Sequence, residues 1–285
     1  MDAIVPNPAA ALLFFIRIMV SPLISSLSLP LIIGPHDPTG AACLPADAVV
    51  CAGRGLHAGS VITALHIQDT SGVESILRLA PEHIDDQARC LLEDMAIGAI
   101  KIGPQYDPET IAVLAQVAAD YSALPLVLQL SNPPAVPDLL DLDADDTLGA
   151  ALDLLVPQAS VVIVDPGQAE HWAQQGLLSA TRAADPLDAL LELGANTVLS
   201  CRPAAHPGFQ LALRSAPHSE RHWPWPASQV RPDGRDGLLA TLLVCGLAQG
   251  QAVADACQQA VETATGMMAH TLHPGMGRHI LRYLP

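Results

Sequence analysis

From residue 29 onward the chain alternates short apolar runs with segments of helix length, and this alternation limits the folds open to it. The runs are LPLIIG (29–34), SVITALHIQD (60–69), AIKIG (99–103), PLVLQL (125–130) and SVVIVD (160–165). Between them, 46–55, 81–95 and 107–121 carry helical spacing, the third with a proline just after its start. A βαβαβαβ order predicts an α/β domain with a central, mostly parallel sheet flanked by helices on both faces. Further along, 131–146 reads as a Pro- and Asp-rich loop, followed by a helix near 147–155, helices at 168–178 and 186–193, and a strand at 196–201. Residues 202–233 read as a weak hairpin or irregular segment. The last third reads as a helix pair with Gly246 and Gly250 between its members. With no internal repeat and no linker, 29–285 is expected to be one domain.

Residues 1–28 are expected to be an extension outside the fold. The apolar stretch 9–33 is interrupted by Arg17, Pro22 and four serines, and the residues before it carry Asp2 but no lysine or arginine, which is wrong for a secretory signal. A membrane span is not expected. Six cysteines without a CxxC pair read as reduced thiols, and the chain as cytoplasmic. With 13 Lys plus Arg against 29 Asp plus Glu, the formal charge of −16 disfavours nucleic acid and anionic membrane as partners. It does not exclude a nucleotide, because local amides can outweigh the global field. The single lysine, Lys101, is the one such group open to any lysine chemistry.

Two segments carry chemistry. GPHDPTGAACLPAD (34–47) places small residues directly after a strand, where backbone can approach a ligand, with Asp37 set to cap the turn. SVITALHIQDTSGV (60–73) ends a strand on Gln68, whose amide offers a donor and an acceptor. The first resembles the Gly-x-Asp-Pro-Ser-Gly-Gly-Ala-Gly-x-Gln-Ala-Asp segment of the hydroxymethylpyrimidine and phosphomethylpyrimidine kinases of thiamine biosynthesis, with one residue inserted after Gly34. The second resembles their Ser-Val-x-Thr-Ala-Leu-x-x-Gln-Asn-Thr-x-Gly-Val. AIKIGPQ (99–105) is similar to a Val-Lys-Ile-Gly-Met segment, with Pro104 at the methionine. WPWP (223–226) and PGMGRHILRYLP (274–285) resemble late segments of a bacterial subgroup.

The resemblance implies a ribokinase-like fold, ATP and Mg²⁺ as cofactors, a small pyrimidine as ligand and a homodimer. It implies a substrate side formed by Gly34, Asp37, Ala42, Asp47, His66 and Gln68, with Gln68 on the pyrimidine edge. Lys101, Gln129, Asp165 and Gln168 fall on the nucleotide side. The Gly-Thr-Gly-Cys motif, whose amides hold the transferring phosphoryl group and whose cysteine is the proposed base, aligns with Gly234, Arg235, Asp236 and Gly237. Glycine thus stands at the cysteine position, and Asp236 serves as base only if the loop shifts by one residue. Gln129, Gln168 and Cys201 replace further polar or charged groups of the family. No metal ligands are assigned. Three readings stay open: an ATP-dependent kinase of hydroxymethylpyrimidine or its phosphate, a non-catalytic pyrimidine-binding or regulatory homologue, and a structural subunit that pairs with an intact kinase.

Overall fold

A computed structural model describes residues 28–134, 136, 144–178, 183–203, 209–215, 219–225 and 234–283. The expected extension, all but its last residue, lies outside the described residues, as does much of the expected loop at 131–146. Strands β1 (Leu29–His36), β2 (Gly59–Gln68), β3 (Val73–Arg78), β4 (Ile97–Ile102), β5 (Leu126–Gln129), β6 (Val161–Ile163), β7 (Thr197–Pro203), β8 (Phe209–Ser215) and β9 (Ser219–Trp225) form one sheet, in the order β3-β2-β1-β4-β5-β6-β7-β8-β9. The central six strands are parallel, as the alternation predicts. The edge strands β3, β8 and β9 are antiparallel.

Two apolar cores lie on opposite faces of this sheet, and side-chain alternation on each strand feeds both. On β1, Leu31 and Ile33 enter one core and Ile32 the other. The first face is covered by α2 (Pro81–Asp94), α3 (Pro108–Asp120), α4 (Ala144–Ala150, prolonged by a wider turn at Ala151–Leu155), α5 (Pro166–Gln174) and α6 (Pro186–Glu192). Proline opens α2, α3, α5 and α6, where its missing N–H costs nothing. The second face is covered by α1 (Cys43–Gly53), α7 (Arg235–Ala248) and α8 (Val253–Met268). A short β10–β11 pair, Thr271–Leu272 with Ile280–Leu281, closes the chain.

The structure corrects four details. The stretch after Gly72 is a strand, β3, whose outer residues are exposed enough to blur its alternation. Of the two readings of 202–233, weak hairpin or irregular segment, Phe209–Ser215 and Ser219–Trp225 form the paired one, as full strands, because β8 pairs with β7 along its whole length despite its mixed sequence. Helix α1 begins at Cys43 rather than 46. Gly246 lies inside α7, not between the last two helices. Every residue of α7 from Gly237 to Ala248 is buried, so this helix is apolar all round and is packed on every side. At Gly246 an added Cβ would come within 2.9 Å of Ala256 Cβ and 3.3 Å of its Cα on α8. We expect Gly246→Ala to destabilise by about 1–3 kcal/mol through overpacking, beyond its gain in helix propensity, as read by urea unfolding.

Candidate functional site

The site lies where the parallel strands end, at the edge of the sheet. The β1–β2 register shifts between Gly34 and His36, and this irregularity carries the chain off the sheet into Asp37. Asp37 is 1% exposed. Its Oδ1 accepts from Thr39 N (2.8 Å) and Thr39 Oγ1 (2.7 Å), and its Oδ2 accepts from Ala42 N (3.0 Å). The carboxylate thus caps the turn and supplies the anchor that α1 lacks at its own N-cap, Ala42. The next residue, Cys43, has φ +57°, the only non-glycine residue in the left-handed region among those described. The family pattern places glycine there, which adopts that conformation freely. Burial and nearby Asp47 push the Cys43 thiol up to about 12, so it stays protonated.

On β2, alternation turns His66 and Gln68 toward the same side as Asp37, and Leu65 and Ile67 away. Gln68 Nε2 donates to Asp37 Oδ1 at 2.6 Å, and its Oε1 lies 3.0 Å from His66 Nδ1. His66 Nε2 lies 2.8 Å from the hydroxyl of Tyr106. Desolvation holds His66 below its ordinary pKa, while burial raises the Tyr106 phenol well above its own. Both are therefore neutral near pH 7.

These groups border a cleft of about 470 Å³, lined among others by Asp37, Ala42, Cys43, Gln68, Asn132, Gln168 and Gly234. The C-terminal segment closes one side: Gly277 N donates to Thr70 Oγ1 (3.0 Å) and Arg278 N to Thr70 O (2.7 Å). A Cβ on Gly275 or Gly277 would collide with Thr70, so the glycines of the PGMG segment are what let it lie there.

Of the residues assigned to the substrate side, Asp37, Ala42, His66 and Gln68 come together at this cleft. Gly34 lies inside β1 facing Gly103 and is not among its lining residues. Asp47 points away from it. Asp47 is buried on α1 and bonds Lys101 Nζ at 2.7 Å. Lys101 also donates to Thr241 Oγ1 (2.9 Å) and Gly237 O (3.4 Å), so its three protons are all engaged beneath α7. Lys101 is 1% exposed and therefore does not stand on an open nucleotide side. Its neighbours Ile100 and Ile102 fill one core, which leaves Lys101 facing the other, already covered by α7.

At the start of α7, Gly234 has φ +87°, and a Cβ there would meet Ala41 O at 2.6 Å. The following segment is held by charge: Arg235 Nε lies 3.0 Å from Asp236 Oδ1, and Arg235 Nη2 lies 3.4 Å from Asp165 Oδ2. Asp165 Oδ1 caps α5 by accepting from Gly167 N and Gln168 N. Gln129 ends β5 with its amide 3.6 Å from where a Cβ on Gly237 would sit. Residues 226–233, which lead into Gly234, lie outside the described residues. Among the described residues no three His, Cys, Asp or Glu side chains converge as a metal-holding group. Asp165 and Asp236, 28% and 27% exposed, are the carboxylates at this point, each in contact with Arg235.

Sequence reasoning missed Thr39, Cys43, Tyr106, Asn132 and Arg278. Thr39 and Cys43 sit inside the quoted 34–47 motif, and Arg278 inside the terminal segment, so a signal existed for those three. Tyr106 and Asn132 follow strand ends and become visible only once the chain is folded.

A nine-stranded, mostly parallel sheet covered by helices on both faces, with a cleft at its strand ends, is the architecture expected of the ribokinase-like class. The chain belongs to the phosphomethylpyrimidine kinase family, whose model matches residues 37–282. It is 30% identical over 250 residues to the hydroxymethylpyrimidine/phosphomethylpyrimidine kinase of Streptomyces coelicolor, covering 84% of this chain and 87% of that one. It is 37% identical over 98 residues to a thiamine biosynthetic bifunctional enzyme of Arabidopsis thaliana, spanning 34% of this chain but only 19% of the plant protein. The fold is similar to phosphomethylpyrimidine kinase from Clostridium difficile (TM-score 0.67, 20% identity, 85% of this chain and 99% of that one). It is also similar to an ADP complex of Bacillus subtilis pyridoxal kinase (TM-score 0.76, 16% identity, 90% and 98%). No helix among the described residues is long and apolar enough to cross a membrane.

If Lys101 and Asp47 form a structural pair, Lys101→Met strands a buried carboxylate and is expected to cost about 3–5 kcal/mol in urea unfolding. Adding Asp47→Asn should recover part of that loss. A stability unchanged in Lys101→Met would return Lys101 to the nucleotide side.

Proposed function

We propose that the cleft binds 4-amino-5-hydroxymethyl-2-methylpyrimidine or its monophosphate, that ATP is the phosphoryl donor, and that transfer is slow. The reading is carried by the pairing of Asp37 with Gln68 on the wall of a 470 Å³ cleft, a polar edge suited to an aminopyrimidine. Family membership supports the reaction type. The slow rate is supported by the α7 entrance, where Gly237 offers no side chain and Asp236 is engaged by Arg235. Loss of a general base costs about 10²–10⁴ in rate, and loss of one positioned donor about 10²–10³. The Arg235 links to Asp165 and Asp236 favour a second reading, a pyrimidine-binding homologue without turnover.

Separate calorimetric titrations with hydroxymethylpyrimidine and ATP distinguish the two: both bind a kinase, and only the pyrimidine binds the second. Turnover near 1 s⁻¹, roughly the low end for enzymes, would overturn the slow-transfer reading. Gln68→Leu should weaken pyrimidine binding by about 1–3 kcal/mol, because it removes a polar partner at a largely buried edge.

The expected partner is a second copy of this chain. Leu65, Ile67 and Leu77 stand 38%, 49% and 60% exposed on the outer face of the β2–β3 hairpin, with Leu65 directly opposite Leu77. An exposed apolar patch at a sheet edge marks an interaction surface. Leu77→Asp should therefore shift the protein from dimer to monomer in sedimentation velocity, and a wild-type monomer would remove this proposal.

A further inference from the structure

The polar groups on the cleft wall form a chain whose proton positions can be assigned one after another. Asp37 is ringed by donors: Thr39 N, Thr39 Oγ1, Ala42 N and Gln68. An ionised carboxylate only accepts, so the group of Gln68 facing it at 2.6 Å is the amide nitrogen. The amide oxygen then faces His66 Nδ1 at 3.0 Å, and an oxygen requires a hydrogen from that ring nitrogen. His66 must be the Nδ1–H tautomer. Its Nε2 consequently carries a lone pair, and the group 2.8 Å away that can donate to it is the Tyr106 hydroxyl. Each link leaves one arrangement, running in a single direction from Tyr106 through His66 and Gln68 to Asp37.

We propose that Tyr106 is a positioning residue for the ligand: through His66 it fixes the Gln68 amide so that the cleft presents one N–H donor beside Asp37 Oδ2, the carboxylate oxygen with a single donor. Gln68 has a second amide hydrogen left after its bond to Asp37, and both residues line the cleft. The complementary ligand carries an acceptor ring nitrogen next to an amino donor, which is the amidine edge of a 4-aminopyrimidine. This ligand class rests on the function proposed above. Neither His66 nor Tyr106 belongs to the quoted family pattern, which leaves the position of His66 open and does not reach Tyr106.

Removal of the Tyr106 hydroxyl takes away the donor that holds the Nε2 lone pair. His66 is then free to carry its hydrogen on Nε2, which turns a lone pair toward the Gln68 oxygen and pushes the amide out of place. Tyr106→Phe changes one buried hydroxyl and little volume, so it separates this effect from a loss of packing.

The experiment has two readouts on the wild type and Tyr106→Phe. The first is the His66 tautomer, from ¹⁵N NMR of the ring nitrogens without ligand. The second is calorimetric affinity for 4-amino-5-hydroxymethyl-2-methylpyrimidine and for its analogue lacking the amino group. The expected result is an Nδ1–H tautomer in the wild type that shifts toward Nε2–H in the variant. Affinity for the aminopyrimidine should then fall about tenfold, the scale of one hydrogen bond, with a smaller change for the des-amino analogue. An Nε2–H tautomer in the wild type, or equal loss of both ligands in the variant, would overturn the positioning role. If the wild type shows the Nδ1–H tautomer but binds neither pyrimidine, the ligand half of the proposal falls together with the proposed function, and the tautomer signal tells the two failures apart.

Discussion

The arrangement depends on one buried ion pair. Lys101 on β4 and Asp47 on α1 meet at 2.7 Å with side chains only 2% and 5% exposed, and Thr241 on α7 bonds to both. Taking two charges out of water costs several kcal/mol for each, and their attraction offsets this only where the remaining donors and acceptors are satisfied. Here Lys101 uses all three protons and Asp47 has both oxygens engaged. Since neither partner can be left alone, the pair sets the position of α1 and α7 relative to the sheet. The start of α1 forms a wall of the cleft and the start of α7 forms its neighbour. Gly234 approaches Ala41 so closely that the two helix starts act as one junction. The Tyr283 hydroxyl, donating to Ala41 O, ties the C-terminal segment to the same point.

How much of this was legible in the sequence follows from what a pattern can encode. The five runs of strand length each fall on a parallel strand, because a sheet covered on both faces demands near-continuous apolar residues there. The edge strands do not meet that demand. In β3 only Ile76 is buried, and Leu77 is 60% exposed, so the segment carries no clear period. β8 holds its place by pairing with β7, and β9 by pairing with β8, constraints with no clear period in either segment. Lys101 illustrates a further limit: its charge suggests an open site, but the same apolar neighbours that mark a strand also place it under a covered face.

The two sides of the site were legible to different degrees. Asp37, Ala42, His66 and Gln68 converge because all four lie near the ends of adjacent strands, which chain order and the parallel sheet already imply. The positions near α7 come from four separated parts of the chain, and the residues leading into Gly234 lie outside those described. Sequence could name Gly234, Arg235, Asp236, Asp165 and Gln168, but not that Arg235 would lie between two carboxylates.

That contrast bears on why the family pattern is clearer on the ligand side. Asp37 anchors the first turn of α1, Gln68 joins the end of β2 to the β1 loop, and Asp47 neutralises Lys101. Each holds the fold whether or not a ligand binds, so destabilisation penalises its replacement independently of activity. Arg235 and Asp236 sit at a helix start, where backbone amides point outward and the two side chains bond each other and Asp165 rather than entering either core. Gly237 places no side chain beside Gln129, and its carbonyl oxygen accepts from Lys101 and Thr241. The residues that border the cleft on β1, β2 and α1 are thus held by fold stability, whereas the first turn of α7 is held by the links of Arg235 to Asp236 and Asp165.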